Sequence, residues 1–112
     1  MTIKKTILTY LLALLGLAPL KALAADSFNI LLYHHISSTM PRSTSVTAQE
    51  FDGHLKFLKD NGYTVVALAD ALEAVQGGTS LPDKAIVITF DDAWRNIYQQ
   101  GFPLLKKYNY PF

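Results

Sequence analysis

AIVITFDDAW, residues 85–94, is the stretch on which the fold turns. Ala85 through Phe90 are apolar or β-branched, a composition suited to a strand. The run does not alternate with polar residues, so it reads as a strand covered on both faces, as in a parallel sheet. Asp91 and Asp92 then arrive together. Adjacent carboxylates repel, and each favours water. Either one of them caps the helix that follows, or the pair meets something cationic. A cap uses one acid and leaves its neighbour without a role. A divalent ion held by one carboxylate would leave the other free to take a proton from an activated water.

Outward from this stretch, strands and helices alternate. Phe28–Tyr33, FNILLY, predicts a buried strand. HHISSTMPRSTS, residues 34–45, is rich in Ser, Thr and Pro and predicts a loop. Thr47-Ala48-Gln49-Glu50 fits a capping box, in which hydroxyl and carboxylate satisfy each other's backbone amides. The helix it opens carries Phe51, Leu55 and Leu58 at i, i+4 and i+7, and Asn61-Gly62 closes it. Tyr63–Leu68, YTVVAL, predicts the second strand. ADALEAVQ predicts a short helix with no side-chain cap, ending at Gly77-Gly78, and Pro82-Asp83 predicts a turn. Ala93 to about Tyr108 is helical in pattern but interrupted near Gly101 and Pro103, where Pro103 could open a second helical segment. Tyr110-Pro111-Phe112 predicts the approach to a fourth strand.

The order β-α-β-α-β-α-(β) predicts an α/β fold with a parallel sheet covered on both faces. Chemistry in such folds gathers at the C-terminal ends of the strands. Asp91-Asp92 lies at one such end and Tyr33-His34-His35 at another. Three or four strands cannot close a barrel and leave both sheet edges unpaired. The expectation is therefore an N-terminal portion of a larger domain, poorly soluble and inactive alone.

The 112 residues contain no cysteine and carry a net charge of +1. Lys4 and Lys5 precede an apolar run from Ile7 to Leu20, and Ala22-Leu23-Ala24 supplies a small-x-small pattern. Residues 1–24 thus read as a secretory signal peptide cut after Ala24, leaving 25–112 as the domain segment. Its loss removes Lys4, Lys5 and Lys21, so seven basic side chains face nine acidic ones, a net of −2. No basic patch suggests nucleic acid as a partner. Export to the periplasm or outside is expected, with no stable membrane anchor after cleavage, and no disulfides to support the fold.

Several other side chains are candidates for a site. His34 and His35, as neighbours on a strand end, should diverge, so one faces the cleft and the other faces loop or solvent. His54, beside Leu55, reads as a packing or surface residue. Trp94 could line a sugar cleft or belong to the core. Arg95 could pair with an aspartate or stand in solvent.

ITFDDAWRNIY followed by PLLKKYNYPF resembles the first signature motif of the NodB-type polysaccharide deacetylases. LLYHHI resembles their first strand, and FDGHLKFLKDNGYTVVAL and GGTSLPDKAIVITFDD resemble the segment between. The likeness extends in order from 28 to 112 and is nearest the exported poly-N-acetylglucosamine deacetylases of biofilms. It implies the N-terminal part of a distorted (β/α) barrel, truncated before the second motif. The implied activity is metal-dependent removal of acetyl groups from an N-acetylglucosamine polymer. Asp91 matches the catalytic base, Asp92 a metal ligand, and His34 a strand-end histidine lining the site. The implied cofactor is a divalent metal, zinc first, with nickel, cobalt and iron also compatible with mixed His and carboxylate ligation.

Three departures from the family stand out. Ala93 replaces the usual glycine after the acid pair, a strain if that position needs a positive φ. The two metal-binding histidines of an H-(S/T)-x-x-H motif, and the general-acid histidine, have no counterpart in the chain. Close relatives are often lipoproteins, and this chain has no cysteine to carry a lipid. Two alternatives therefore stand beside the deacetylase: a non-catalytic carbohydrate-binding or export-associated module, and an esterase removing O-acetyl groups from xylan.

Overall fold

The computed structural model describes residues 27–112, and the signal-peptide reading over 1–24 lies outside them. The chain runs β1 (Asn29–Tyr33), β2 (His35–Ile36), β3 (Ser45–Val46), α1 (Ala48–Asp60), β4 (Thr64–Val65) and α2 (Leu68–Val75). It continues through β5 (Ala85–Phe90), a π-helical turn (Ile97–Gly101) and α3 (Phe102–Tyr108). β1, β5 and β4 form one parallel sheet in that spatial order, so the last strand in sequence lies in the middle. No helix among the described residues is long and apolar enough to cross a membrane.

The central place of β5 explains its unbroken apolar sequence. Ile86 and Ile88 face a cluster with Phe51, Leu55 and Leu58 of α1 and Leu105 of α3. Ala85 and Val87 face the opposite cluster, with Ala71 of α2 and Leu81. Successive residues of a strand point to opposite faces, and here each face has its own helix layer. Among the described residues the coverage of the sheet is incomplete. Ile30 and Leu32 of β1 are 50% and 51% exposed, so one face of this edge strand is bare.

α1 begins as its sequence predicts. The Glu50 backbone amide donates to Thr47 Oγ1 at 3.1 Å, and the Thr47 amide donates to Glu50 Oε2 at 2.7 Å. Phe51, Leu55 and Leu58 are its buried residues. The helix stops where Gly62 adopts φ 70°, a conformation glycine enters without a Cβ clash. Arg42 adds two bonds to the Glu50 carboxylate, both 2.8 Å. This pairing, followed by the Thr47 contacts, holds the Glu50 carboxyl down at about 2 against an ordinary 4.5. A carboxyl pKa depressed by folding gives stability that is complete above the unfolded value and lost as pH falls toward the folded one. The thermal midpoint should therefore fall between pH 4.5 and about 2 more steeply in the wild-type chain than in Glu50→Gln, which has nothing to protonate there. Parallel curves for the two proteins over that window would show that the capping box contributes nothing pH-dependent.

Three segments differ from the sequence reading. The Ser/Thr-rich loop contains β2 and β3, which pair in parallel through His35–Ser45 and Ile36–Val46. Within Tyr63–Leu68 only Thr64 and Val65 are strand, because β4 is an edge strand matched to Ala85 and Ile86 alone. Tyr110–Phe112 forms no strand in this structure. The interruption near Gly101 is real but takes another form: the helix widens rather than breaks. The Phe102 amide reaches back five residues to the Ile97 carbonyl. Pro103 follows at the start of α3. Proline has no amide hydrogen and its ring crowds the carbonyl four residues earlier, and a wider turn relieves that crowding. Gly101 is buried at the closest approach, where a Cβ would lie 3.2 Å from Ile36 Cγ1.

Candidate active site at the ends of β1 and β5

The register of the central strand pair builds the site. Tyr33 is matched with Phe90 across β1 and β5, and the Asp91 amide donates to the Tyr33 carbonyl at 3.1 Å. The residues one step further, His34 and Asp91, are thus neighbours at the C-terminal edge of the sheet. His34 Nε2 lies 3.7 Å from Asp91 Oδ2, with both side chains about half exposed. That separation is beyond a hydrogen bond and within reach of charge attraction when the imidazole is protonated. The pair needs no long loop to bring it together.

Directly after Asp91 the backbone turns through two left-handed residues, Asp92 at φ 64° and Ala93 at φ 44°. This sharp reversal separates the strand from the helical segment and leaves Asp91, Asp92, Ala93 and Trp94 exposed. The position after the acid pair therefore has the positive φ that glycine occupies freely and alanine does not. A residue with a Cβ in this region costs about 1–2 kcal/mol. Ala93→Gly should relieve that strain and raise stability by about 1 kcal/mol, offset in part by the greater entropy of an unfolded glycine. The measurement is the midpoint of urea unfolding, and a lower midpoint for the glycine variant would contradict the strained turn.

The two histidines do diverge, but only one behaves as expected. His34 faces Asp91. His35 turns inward instead of toward loop or solvent and is only 7% exposed. Its ring lies against Trp94, with centroids 4.9 Å apart and planes at 43°. Trp94 is neither core nor free surface: one side rests on His35, and the residue remains 46% exposed. It borders a concave apolar surface of about 490 Å³ shared with Leu68, Phe90, Tyr98 and Phe102. His54 is exposed and its Nδ1 lies 3.0 Å from the Tyr33 hydroxyl. Burial pushes the Tyr33 phenol up to about 12, so it stays protonated at neutral pH. Arg95 is exposed and takes part in none of the ion pairs among the described residues.

Asn96 is the residue that sequence reasoning missed. It links the segment after the acid pair to β2, bonding both the Ile36 amide and the His35 ring. An asparagine near the start of a helical pattern suggests a cap, and no local signal points to partners 60 and 61 positions away.

The described residues fit a divalent ion only in part. No three His, Cys, Asp or Glu side chains among them come together as a metal site. Asp92 offers one carboxylate at an open turn, whereas catalytic metal sites take about three protein ligands. The arrangement provides two acids and an imidazole at one sheet edge, able to accept and hold a proton.

No family model matches the sequence. The chain is 40% identical over 79 residues to the putative polysaccharide deacetylase YxkH of Bacillus subtilis, covering 70% of this chain and 28% of that protein. It is 33% identical over 88 residues to the poly-beta-1,6-N-acetyl-D-glucosamine N-deacetylase of Escherichia coli, covering 77% of this chain and 13% of that protein. Among solved structures, IcaB from Ammonifex degensii superimposes with a TM-score of 0.71 at 32% identity, over 78% of this chain and 36% of that one. The chain thus spans between 13% and 28% of the length of these curated relatives.

Proposed function

We propose that this chain, which belongs to the NodB-type polysaccharide deacetylases, carries the acid pair of an N-deacetylase acting on an N-acetylglucosamine polymer. The observation that supports it most is the in-register approach of His34 to Asp91, with Asp92 next in the chain at an open turn. In this reading Asp91 accepts the proton of the water that adds to the acetamide carbonyl carbon. The carbon–nitrogen bond then breaks, the amine nitrogen takes a proton, and acetate leaves. His34 lies beside the Asp91 carboxylate and, when protonated, attracts it. Trp94 offers an aromatic face to a sugar ring.

Asp92 is assigned as one carboxylate ligand of a divalent ion, zinc in the first instance, with the other ligands supplied by residues of the complete protein outside those described. When bound, such an ion polarises the carbonyl and its attacking water. The substrate is a polysaccharide, reached by export to the periplasm or beyond, with residues 1–24 as the leader. Nucleic acid and a stable membrane anchor have no place in this reading.

A second reading is a carbohydrate-binding module without catalysis. It is favoured by Ala93, which stands at a positive φ where the family has glycine after the acid pair. Acetate release separates the two. The complete protein, supplied with zinc, should release acetate from an N-acetylglucosamine oligomer and little from acetylated xylan. Binding of the oligomer without acetate release, with Asp91 intact, would favour the module, and preferential release from xylan would favour an esterase.

A further inference from the structure

Asn96 has its two amide atoms committed to different partners. The Ile36 backbone amide donates to Asn96 Oδ1 at 3.2 Å, and Asn96 Nδ2 lies 3.1 Å from His35 Nδ1. A backbone N–H can only donate, so the atom facing Ile36 must be the carbonyl oxygen. That places the amide nitrogen against the imidazole, and an amide NH₂ can only donate as well. His35 Nδ1 is therefore an acceptor, and the neutral ring carries its proton on Nε2.

The other edge of the ring has no partner among the described residues. Among the described residues no buried side-chain nitrogen or oxygen lacks a hydrogen-bond partner. Among the described residues the His35 ring bonds protein only through Nδ1, which leaves Nε2 without a described partner in a residue 7% exposed overall. His34 and His35 both border a cleft of about 240 Å³ walled by the Arg42–Val46 segment. The ring also supports Trp94. His35 thus borders a cleft on the Arg42–Val46 side and touches an exposed aromatic ring on the other.

We propose that Asn96 is a positioning residue that holds His35 with its Nε2–H outward, as a donor to a carbonyl or hydroxyl oxygen of an acetylated amino sugar resting on Trp94. The donor's ligand rests on the deacetylase reading above; the tautomer does not. The two adjacent histidines then divide the work. His34 meets the carboxylate, and His35 recognises substrate.

The tautomer is read by nitrogen-15 spectra of the histidine-labelled chain, in which protonated and unprotonated ring nitrogens resonate far apart. Wild-type His35 should show an unprotonated Nδ1. In Asn96→Asp one carboxylate oxygen still accepts from Ile36 while the other must accept from the ring, so Nδ1 should become protonated. A protonated Nδ1 in the wild type overturns the proposal, and this needs no variant to fold. An unprotonated Nδ1 in Asn96→Asp with an unchanged Ile36 amide resonance overturns it too.

The substrate contact is tested by titrating an N-acetylglucosamine oligomer into the complete protein carrying Asp91→Asn to stop turnover. His35 Nε2 and the Trp94 indole should shift together, and adding Asn96→Ala, which leaves the ring unheld, should weaken binding about tenfold. Shifts at residue 91 and Trp94 without one at His35 overturn the donor role. Absence of any shift overturns the deacetylase reading and the donor role with it, whatever the tautomer result.

Discussion

Asp91→Asn should lower acetate release by the complete protein by about 10²–10⁴-fold, the usual contribution of a positioned proton acceptor. Asparagine keeps the shape of the side chain and the backbone bond from residue 91 to the Tyr33 carbonyl. What it loses is the capacity to accept a proton and the charge that a protonated His34, 3.7 Å away, would meet. The loss should fall on kcat, because proton transfer belongs to the transition state and not to sugar binding. Asp92→Asn should behave differently, reducing affinity for zinc as measured by calorimetry and activity in parallel. Unchanged acetate release by Asp91→Asn would place the base elsewhere. Unchanged ion affinity in Asp92→Asn would remove this acid from the metal site and leave it as a turn residue.

Phe51→Ala should cost about 3–5 kcal/mol, the range for emptying a buried aromatic position. Phe51 is fully buried and meets the rings of Tyr33 and Phe90 at centroid distances of 4.9 and 5.9 Å. It therefore fastens α1 to both strands that end at the site. A folded unit of this size has roughly 4–13 kcal/mol in total, so the variant should lose much of its cooperative structure. The thermal midpoint should fall by at least about 12 °C, using the lower bound of about 4 °C per kcal/mol for small domains. Phe57 on the same helix is 57% exposed, and Phe57→Ala should cost less than about 1 kcal/mol. Equal losses for the two phenylalanines would show that α1 does not pack as described. Because Phe51 touches Tyr33, the residue before His34, intermediate losses at this position should also disturb the His34–Asp91 spacing.

The local features of α1 were legible in the sequence because each depends on residues a few positions apart. Thr47 and Glu50 cap it, Phe51, Leu55 and Leu58 share one face, and Gly62 ends it. β5 was legible to the residue, since a strand covered on both faces runs apolar and β-branched without polar alternation. The acid pair was visible as a chemical oddity at a strand end. The strain at Ala93 was only conditional, because a positive φ is a property of the turn and not of the alanine.

Apolar pattern reports which face of an element is covered and not which element covers it. Sequence by itself therefore determined the α/β alternation, the family likeness and Asp91, Asp92, His34 and Trp94 as the residues to watch. Only the tertiary structure decided that β5 enters between β1 and β4, and that register brings His34 to Asp91. It also decided the inward turn of His35, through an Asn96 bond spanning 61 positions. Such bonds form because the packed sheet and helices have already brought distant segments within about 3 Å, a distance no local propensity encodes.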